Sequence, residues 1–345
     1  MASRKKVGVV LFQLGGPDSL ESVEPFLYNL FCDPDIIEIP LGLLLRKPLA
    51  KWIASRRAPK AAAHYAEMGG SSPILRLTQR QARALEQALR PQMDAVAVIA
   101  MRYWHPLTAE AVRQLEAAAQ DELVLLPLYP QYSFATTGSS LNEWKRCYGE
   151  GRVPVRVVER FFDHPLYIDA LVEKISTSLG HFDPARFKES EGRERTHILF
   201  SAHGLPESFL KRGDPYRREV EATVRLVMQR GGWPNTHSLC YQSKVGPQKW
   251  LEPSIHQSIH RLADERVEQV LVVPVSFVTE HIETLHEINM ETRAEAAALG
   301  IRMFRMAPAV GDSLLFISCL ADLVLSALEM KNLPAMSEKK VTASP

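Results

Sequence analysis

Histidine and glutamate side chains follow two apolar runs of the chain, and their types and spacing could do chemistry. His203 follows the first run, in the segment HILFSAHGLPESF at residues 197–209. The second run, VLVVPVSF, is followed by TEHIETLHEINME, where Glu283, Glu287 and Glu291 are spaced four apart. An imidazole near carboxylates can hold a divalent cation or move protons. The sequence therefore predicts a metal or proton-transfer site if the two segments meet.

Two apolar runs predict the elements that position these residues. Each run predicts a buried parallel strand that ends at a loop, and ligands of open α/β sheets bind at that edge. On a helix, the glutamates would share one face, where like charges destabilise by about 0.2 to 0.5 kcal/mol per pair. A solvated acidic face and a hydrogen-bonded loop histidine remain alternatives to a functional site.

Short apolar runs alternate with helical patterns along nearly the whole chain, which predicts βαβ units. We expect strands near residues 7–14, 95–101, 122–128, 196–202, 237–241, 268–276 and 301–305. We expect helices near residues 19–31, 77–90, 108–119, 138–149, 165–180, 216–231, 254–264, 282–298 and 312–329. Residues 98–132 and 238–277 repeat the order strand, proline, helix and strand. The expected fold class is therefore α/β, with two similar Rossmann-like doubly wound domains whose parallel sheets face a cleft.

The length of 345 residues favours two domains, because single cores rarely grow that large. A charge-rich stretch at residues 182–195 predicts a boundary near residue 180. The expected domains are an N-terminal one at 1–180 with the lip of a ligand pocket, and a C-terminal one at 181–311 with the metal site. We expect a final helix at 312–330 that packs on the body and a disordered tail at 331–345.

Composition excludes several classes of function. The 41 basic and 40 acidic residues leave a net charge of +1, which argues against a nucleic-acid partner. Four cysteines without CxxC spacing indicate no local zinc or iron–sulfur motif and favour a reducing cytoplasm. The turn LGGPDS lacks the third glycine of a dinucleotide fingerprint, which disfavours a nicotinamide-dependent oxidoreductase. No run approaches the ~20 apolar residues of a membrane span.

The segment at residues 39–60, IPLGLLLRKPLAKWIASRRAPK, mixes apolar and basic residues. This composition suits an interfacial helix that contacts anionic lipid, or one that binds an apolar ligand carrying carboxylates. An ordinary amphipathic helix with a basic outer face is the alternative.

Seven motifs together resemble the ferrochelatase family, whose members insert ferrous iron into a porphyrin. They are LGGPDSLESVEPFLYNLFCDPDII, YAEMGGSSPI, RYWHPLT, LYPQYSFATTGSSL, SAHGLPESFLKRGDPY, QSKVGPQKWL and PVSFVTEHIETLHEI. They extend in the family's order from residue 14 to about residue 288. The resemblance implies two Rossmann-like domains without a bound nucleotide, in agreement with the missing fingerprint.

The resemblance also implies roles for individual residues. His203 and Glu283 match the family's catalytic and metal-site pair, and Glu287 and Glu291 match an acidic row considered a route for metal or protons. The expected porphyrin-binding residues are Arg57, Tyr65, Ser72 and Leu14. Secondary candidates in or beside the same motifs are His281, Glu280, Arg102 and Trp250.

The implied activity is that of a lyase that inserts Fe²⁺ into protoporphyrin IX. Leu14 favours this substrate, because many coproporphyrin-using members have Tyr there. Gln13 replaces the commoner Asn and Glu280 the frequent Asp, which leaves fine pocket geometry open. Alternatives are a coproporphyrin III ferrochelatase, another tetrapyrrole metal chelatase, and a non-catalytic porphyrin or haem carrier.

The expected partners are porphyrin and ferrous iron, both as substrates. We expect no tightly bound cofactor, and no [2Fe-2S] cluster, because the tail lacks the cysteine-rich extension of cluster-bearing members. The expected location is cytoplasmic, with peripheral contact to the inner face of the membrane through residues 39–60. The sequence does not indicate an oligomeric state.

Overall fold

The structure, a computed structural model, describes residues 4–36, 42–151, 153–182, 195–244 and 248–329. Two four-stranded parallel sheets lie within these ranges, and helices flank them. The expected α/β fold class with two Rossmann-like halves is confirmed. The expected tail at 331–345 and most of the charge-rich stretch at 182–195 lie outside the described residues, and the boundary near residue 180 stays a prediction.

The first sheet has the strand order β2-β1-β3-β4. Its strands are β1 (Lys6–Gln13), β2 (Asp94–Met101), β3 (Glu122–Pro127) and β4 (Val155–Val157). All neighbours pair in parallel. Strands β1 and β3 are buried along nearly their whole length, as the continuous apolar runs predict for parallel strands covered on both faces. Strand β4 was not predicted, because three residues are too few to show a pattern.

The second sheet repeats this order as β6-β5-β7-β8. Its strands are β5 (His197–His203), β6 (His237–Gln242), β7 (Gln269–Pro274) and β8 (Met303–Met306). Strand β5 pairs in parallel with both β6 and β7. The carboxyl ends of these three strands therefore meet at one edge of the sheet.

Helices cover both sheets. They are α1 (Val23–Cys32), α2 (Gly42–Glu67), α3 (Ile74–Leu89), α4 (Thr108–Ala118), α5 (Ser139–Tyr148), α6 (Pro165–Leu179), α7 (Glu207–Lys211), α8 (Tyr216–Gly231), α9 (Ile255–Asp264), α10 (Arg293–Ala298) and α11 (Leu314–Glu329). Helix α2 extends beyond the expected 39–60 segment, of which residues 39–41 lie outside the described residues. None of the described helices is both long and apolar enough to cross a bilayer.

Part of the helix expected at 282–298 is a π-helix. Residues Glu283–Thr292 form this π-helical segment, and α10 continues it. A shorter π-helical turn, Phe134–Gly138, precedes α5. In a π-helix the backbone bonds run from residue i to i+5, and such segments occur frequently at functional sites. The glutamates of this segment are spaced four residues apart, which is compatible with a π-helix and with an α-helix. The sequence pattern therefore did not distinguish the two forms.

One apolar core joins the two halves. Leu126 of the first sheet and Phe200 of the second belong to the same buried cluster, to which α11 contributes Phe316. Buried hydrogen bonds also cross between the halves. Gln131 Nε2 and Tyr167 Oη both donate to the carbonyl oxygen of Val275, at 3.2 and 3.0 Å. These bonds hold the ends of the two sheets in one relative position.

Candidate active site

The structure brings His203 and Glu283 together. His203 is the last residue of β5, and Glu283 begins the π-helical segment that follows β7. Because β5 and β7 are parallel neighbours, both segments leave the sheet at the same edge. Nε2 of His203 lies 3.5 Å from Oε1 of Glu283.

Three contacts orient His203. Its backbone N–H donates to Oγ of Ser276 at 3.0 Å, and its carbonyl oxygen accepts from the hydroxyl of Tyr216 at 3.0 Å. Nδ1 lies 2.5 Å from the carbonyl oxygen of Gly204. A carbonyl oxygen only accepts, so Nδ1 carries a proton, and Nε2 is the nitrogen that faces Glu283.

Glu283 also contacts a second imidazole. Nε2 of His281 lies 3.4 Å from Oε2 of Glu283, while Nδ1 of His281 lies 3.1 Å from the carbonyl oxygen of Thr279. Gln242 holds the backbone nearby, because its Nε2 donates to the carbonyl oxygen of Glu283 at 3.4 Å. The carboxylate therefore lies between two imidazoles.

Charge coupling sets the protonation of this pair. Burial lowers the pKa of His203, but the carboxylates of Glu283 and Glu287 outweigh it and raise the pKa to about 9. Burial raises the pKa of Glu283, but the two imidazoles outweigh it and hold that pKa well below its usual range. Near neutral pH the pair is therefore an imidazolium and a carboxylate. A cation that binds Nε2 must displace a proton.

The three spaced glutamates contact different neighbours. Glu287 accepts from the backbone N–H and the hydroxyl of Ser243, at 2.8 and 2.5 Å. Burial and the charge of Glu283 raise the pKa of Glu287. Glu291 is 45% exposed and faces α2. The row thus leads from the half-buried carboxylate of Glu283 to the exposed carboxylate of Glu291.

Tyr65 and Ser72 belong to the first half, and Tyr65 packs close to the residues that precede Glu283. Tyr65 is buried in α2, in a cluster that the side chain of Ile282 also contacts. Burial and the charge of Glu283 raise the pKa of its hydroxyl far above the ordinary value. Ser72 packs against Gly16, where an added Cβ would lie 2.6 Å from Oγ of Ser72. Only glycine permits that approach of Ser72 to the turn after β1.

Leu14 and Arg57 differ in exposure. Leu14 is half-buried directly after β1, and its carbonyl oxygen accepts from the backbone N–H of Tyr103 at 3.0 Å. Arg57 is exposed on α2, with its guanidinium 5.7 Å from the ring centre of Phe31. An exposed guanidinium is free to pair with a carboxylate of a ligand.

Glu280 and Arg102 are engaged in structural contacts. Oε1 of Glu280 accepts from the backbone N–H of Ala309 at 2.7 Å. The guanidinium of Arg102 lies 3.0 Å from Oδ2 of Asp33 and donates to Oγ of Ser139 at 2.8 Å. Both side chains hold loops in place, and their described contacts do not include His203 or Glu283.

Trp250 lies beside the strand end of His203. Its ring would be 3.1 Å from a Cβ added to Gly204, and it lines a cavity of about 80 Å³ together with Gln242. A larger cavity of about 270 Å³ lies elsewhere, lined by Pro34, Asp35, Tyr132, Phe134, Gly138, Asn142 and Arg212. None of the predicted site residues lines the larger cavity.

Sequence reasoning missed the residues that orient the pair and Glu287. Ser276, Tyr216, Gln242 and Ser243 act through hydrogen bonds to backbone or to another side chain. Gln242 stands beside His203 because β5 and β6 pair in that register. All four residues lie within the matching motifs, and this was the available signal, since register cannot be read from one segment.

Comparisons with known proteins agree with this fold. The family model described as Ferrochelatase matches residues 6–328. A ferrochelatase of Geotalea daltonii is 48% identical over 325 residues, covering 93% of this chain and 98% of the relative. A ferrochelatase of Gloeobacter violaceus is 46% identical over 329 residues, covering 94% and 98%. SirB from Bacillus subtilis, solved with Fe³⁺, has a TM-score of 0.51 at 10% identity, covers 94% of this chain and 96% of its own, and shows the fold alone.

Proposed function

The chain belongs to the ferrochelatase family, and we propose that it inserts Fe²⁺ into protoporphyrin IX with release of two protons. Members of this family are lyases that insert a metal ion into a tetrapyrrole, with ferrous iron as a substrate. The observation that most supports the proposal is the 3.5 Å approach of His203 to Glu283 at the carboxyl edge of the second sheet.

Proton removal is the first requirement of the reaction. Two pyrrole N–H groups must lose protons while the metal ion loses water. Glu283, held as a carboxylate, can accept a proton at once, whereas His203 must first release the proton on Nε2. Burial and the charge of Glu283 raise the pKa of Glu287. Glu287 is therefore suited to take a proton from Glu283 and pass it outward.

Porphyrin distortion is the second requirement, because a flat macrocycle hides its nitrogen lone pairs. Binding energy along the edges of the ring can supply that strain. We propose that Leu14, Tyr65 and Ser72 contact the macrocycle and that Arg57 pairs with a propionate. Tyr65 packs near Ile282, directly before Glu283, which supports a ring position next to the acidic pair.

An anaerobic spectrophotometric assay tests the activity, with Fe²⁺, Co²⁺ and Zn²⁺ against protoporphyrin IX and coproporphyrin III. We expect the highest kcat/KM for Fe²⁺ and protoporphyrin IX. Higher kcat/KM with coproporphyrin III would overturn the substrate assignment. Porphyrin binding without insertion of any metal would support the carrier alternative instead.

Glu283→Gln tests the assignment of the acidic group. The variant keeps the size of the side chain and loses its charge, so we expect metal insertion to be lost while porphyrin binding persists. Glu280→Gln is the matched control, because Glu280 directly precedes His281 in the same loop but accepts from the backbone N–H of Ala309. Parental insertion rates in the Glu283→Gln variant would contradict this assignment.

We further propose a cytoplasmic protein that touches the inner face of the membrane through α2. Leu45 and Trp52 on this helix are more than half exposed, and basic residues flank them. Co-sedimentation with anionic and zwitterionic vesicles tests this, with Trp52→Gln as the variant. Equal sedimentation of both proteins with anionic vesicles would refute the contact. The domain boundary near residue 180 and the lack of a [2Fe-2S] cluster remain proposals.

A further inference from the structure

The larger cavity, of about 270 Å³, lies between the two halves of the protein, and neither His203 nor Glu283 lines it. Arg212, directly after α7, forms the wall that belongs to the second half. Part of the opposite wall is the short π-helical turn Phe134–Gly138, a form that occurs frequently at functional sites. Several water molecules or one small organic molecule fit a space of this size.

Arg212 brings a positive charge to this cavity. The centre of its guanidinium lies 4.4 Å from the ring centroid of Phe209, so the two groups stack. Stacking uses the face of the guanidinium, and its N–H donors therefore point along the edges of its plane. Donors in this fork arrangement are suited to bind the two oxygens of a carboxylate.

Asp35 brings a negative charge to the wall of the first half. Its Oδ1 accepts from Nδ2 of Asn142 at 3.2 Å. Its Oδ2 lies 3.6 Å from Nη2 of Arg146, which is too long for a hydrogen bond, and Nε of Arg146 donates to Glu143 instead. Among the described residues no group donates a hydrogen bond to Oδ2, although this atom is buried. A buried carboxylate oxygen without a donor costs stability, and an ammonium group of a ligand would satisfy it.

Buried hydrogen bonds hold the aromatic wall of the cavity in place. The backbone N–H of Tyr132 donates to Oε2 of Glu219 at 2.7 Å, and that of Phe134 donates to Oδ2 of Asp214 at 2.8 Å. Both carboxylates are buried and belong to the second half. The rings of Tyr132 and Phe134 pack edge to face with centroids 6.0 Å apart, and they offer an apolar surface. The cavity is therefore formed before a ligand enters, which lowers the entropic cost of binding.

We propose that the larger cavity binds a free amino acid, with its carboxylate on Arg212, its ammonium group on Asp35 and its side chain against Tyr132 and Phe134. A ligand with only a negative charge would be repelled by Asp35, and one with only a positive charge would be repelled by Arg212. A zwitterion with an apolar side chain matches both charges and the aromatic wall. This site goes beyond the proposed function, because neither the porphyrin nor iron takes part in the binding.

Titration calorimetry of the full-length protein with each of the common amino acids tests the site. We expect at least one of them to bind with a Kd of about 1 mM or below. Its analogues that lack either the amino or the carboxyl group should bind more than tenfold more weakly. Arg212→Gln and Asp35→Asn should each weaken binding of the amino acid more than tenfold. Arg225→Gln, which removes an exposed guanidinium on α8 outside the cavity, is the matched control and keeps the affinity.

A competition experiment locates the bound amino acid. Its affinity should be the same with and without saturating protoporphyrin IX, because the cavity is separate from His203 and Glu283. Circular dichroism establishes that the variants are folded. Three results would each overturn the proposal: no amino acid binds at that level, Arg212→Gln and Arg225→Gln have equal affinity, or the porphyrin displaces the amino acid. Loss of metal insertion in any variant bears only on the proposed function.

Discussion

Replacement of Glu283 by Gln should change the protonation of His203, and the size of that change can be derived from the structure. The pKa of His203 is raised from 6.5 to about 9, against the effect of burial and chiefly by the carboxylate 3.5 Å away. That difference corresponds to about 3.4 kcal/mol at 1.36 kcal/mol for a pKa change of one. Because the imidazole is 39% exposed, solvent screening reduces the coupling to about 1 to 2 kcal/mol.

The amide of the Glu283→Gln variant keeps the shape of the side chain but carries no charge. We therefore expect the pKa of His203 to fall from about 9 to about 8 or below, since burial then acts with less opposition. Nitrogen-15 NMR of the imidazole rings reports this directly in the metal-free, porphyrin-free protein, titrated from about pH 6 to about pH 10. The His203 resonances are assigned by their absence from a His203→Gln sample.

Glu291→Gln is the control for this experiment. It removes the same charge from the same π-helical segment, but Glu291 contacts His64 and His286 instead of His203. We expect the pKa of His203 to be unchanged in this control. A pKa that stays near 9 in Glu283→Gln, or that falls equally in both variants, would refute the inference that Glu283 sets the charge of His203.

Three further predictions concern contacts away from this pair. Gln13→Ala removes a buried hydrogen bond of 3.0 Å to Thr279 and should lower the free energy of unfolding by about 1 to 3 kcal/mol, measured in urea. His197 is buried with its pKa lowered to about 4, so the unfolded state binds the proton first, and stability falls as pH falls from 6.5 towards 4. His197→Gln should remove about 2 kcal/mol of the stability difference between about pH 7 and about pH 5. Ser243→Ala removes a hydroxyl donor to Glu287, so the pKa of Glu287 should rise, and the acidic limb of the metal-insertion profile should move to higher pH.

Each of these predictions has a contradicting result. Unchanged urea midpoints in Gln13→Ala would mean that the bond between the halves adds no stability. Parental dependence of stability on pH in His197→Gln would assign the acid sensitivity to other groups. An unshifted carboxyl resonance of Glu287 in carbon-13 NMR of Ser243→Ala would show that the hydroxyl does not stabilise the charged form.

Most strands and helices could be predicted from the sequence, because burial demands a repeating pattern. Strands β5 and β7 are covered on both faces, so they must be apolar throughout, and this marks them clearly. Strand β4 and helix α7 were missed, because elements of three and five residues are too short to show a period. The π-helical segment was predicted as an α-helix, because a spacing of four is compatible with both forms.

Positions of single site residues were harder to predict where contacts join distant parts of the chain. His203 and Glu283 could be paired, because both follow strands that a parallel sheet brings to one edge. His64 and His286 could not be paired, because their contact depends on how α2 lies on the π-helical segment. The packing angle of two helices depends on side chains of both, and neither motif contains that information.

The sequence by itself determined the fold class, the family and the identity of the acidic and imidazole groups, because residue types and strand patterns are local properties. Only the tertiary structure decided how these groups are charged and what else contacts them. The imidazolium state of His203 results from a carboxylate 3.5 Å away in space. Glu287 contacts Ser243, whereas Glu291 contacts His64. These different partners result from the packing of β6 and α2 on different sides of the π-helical segment.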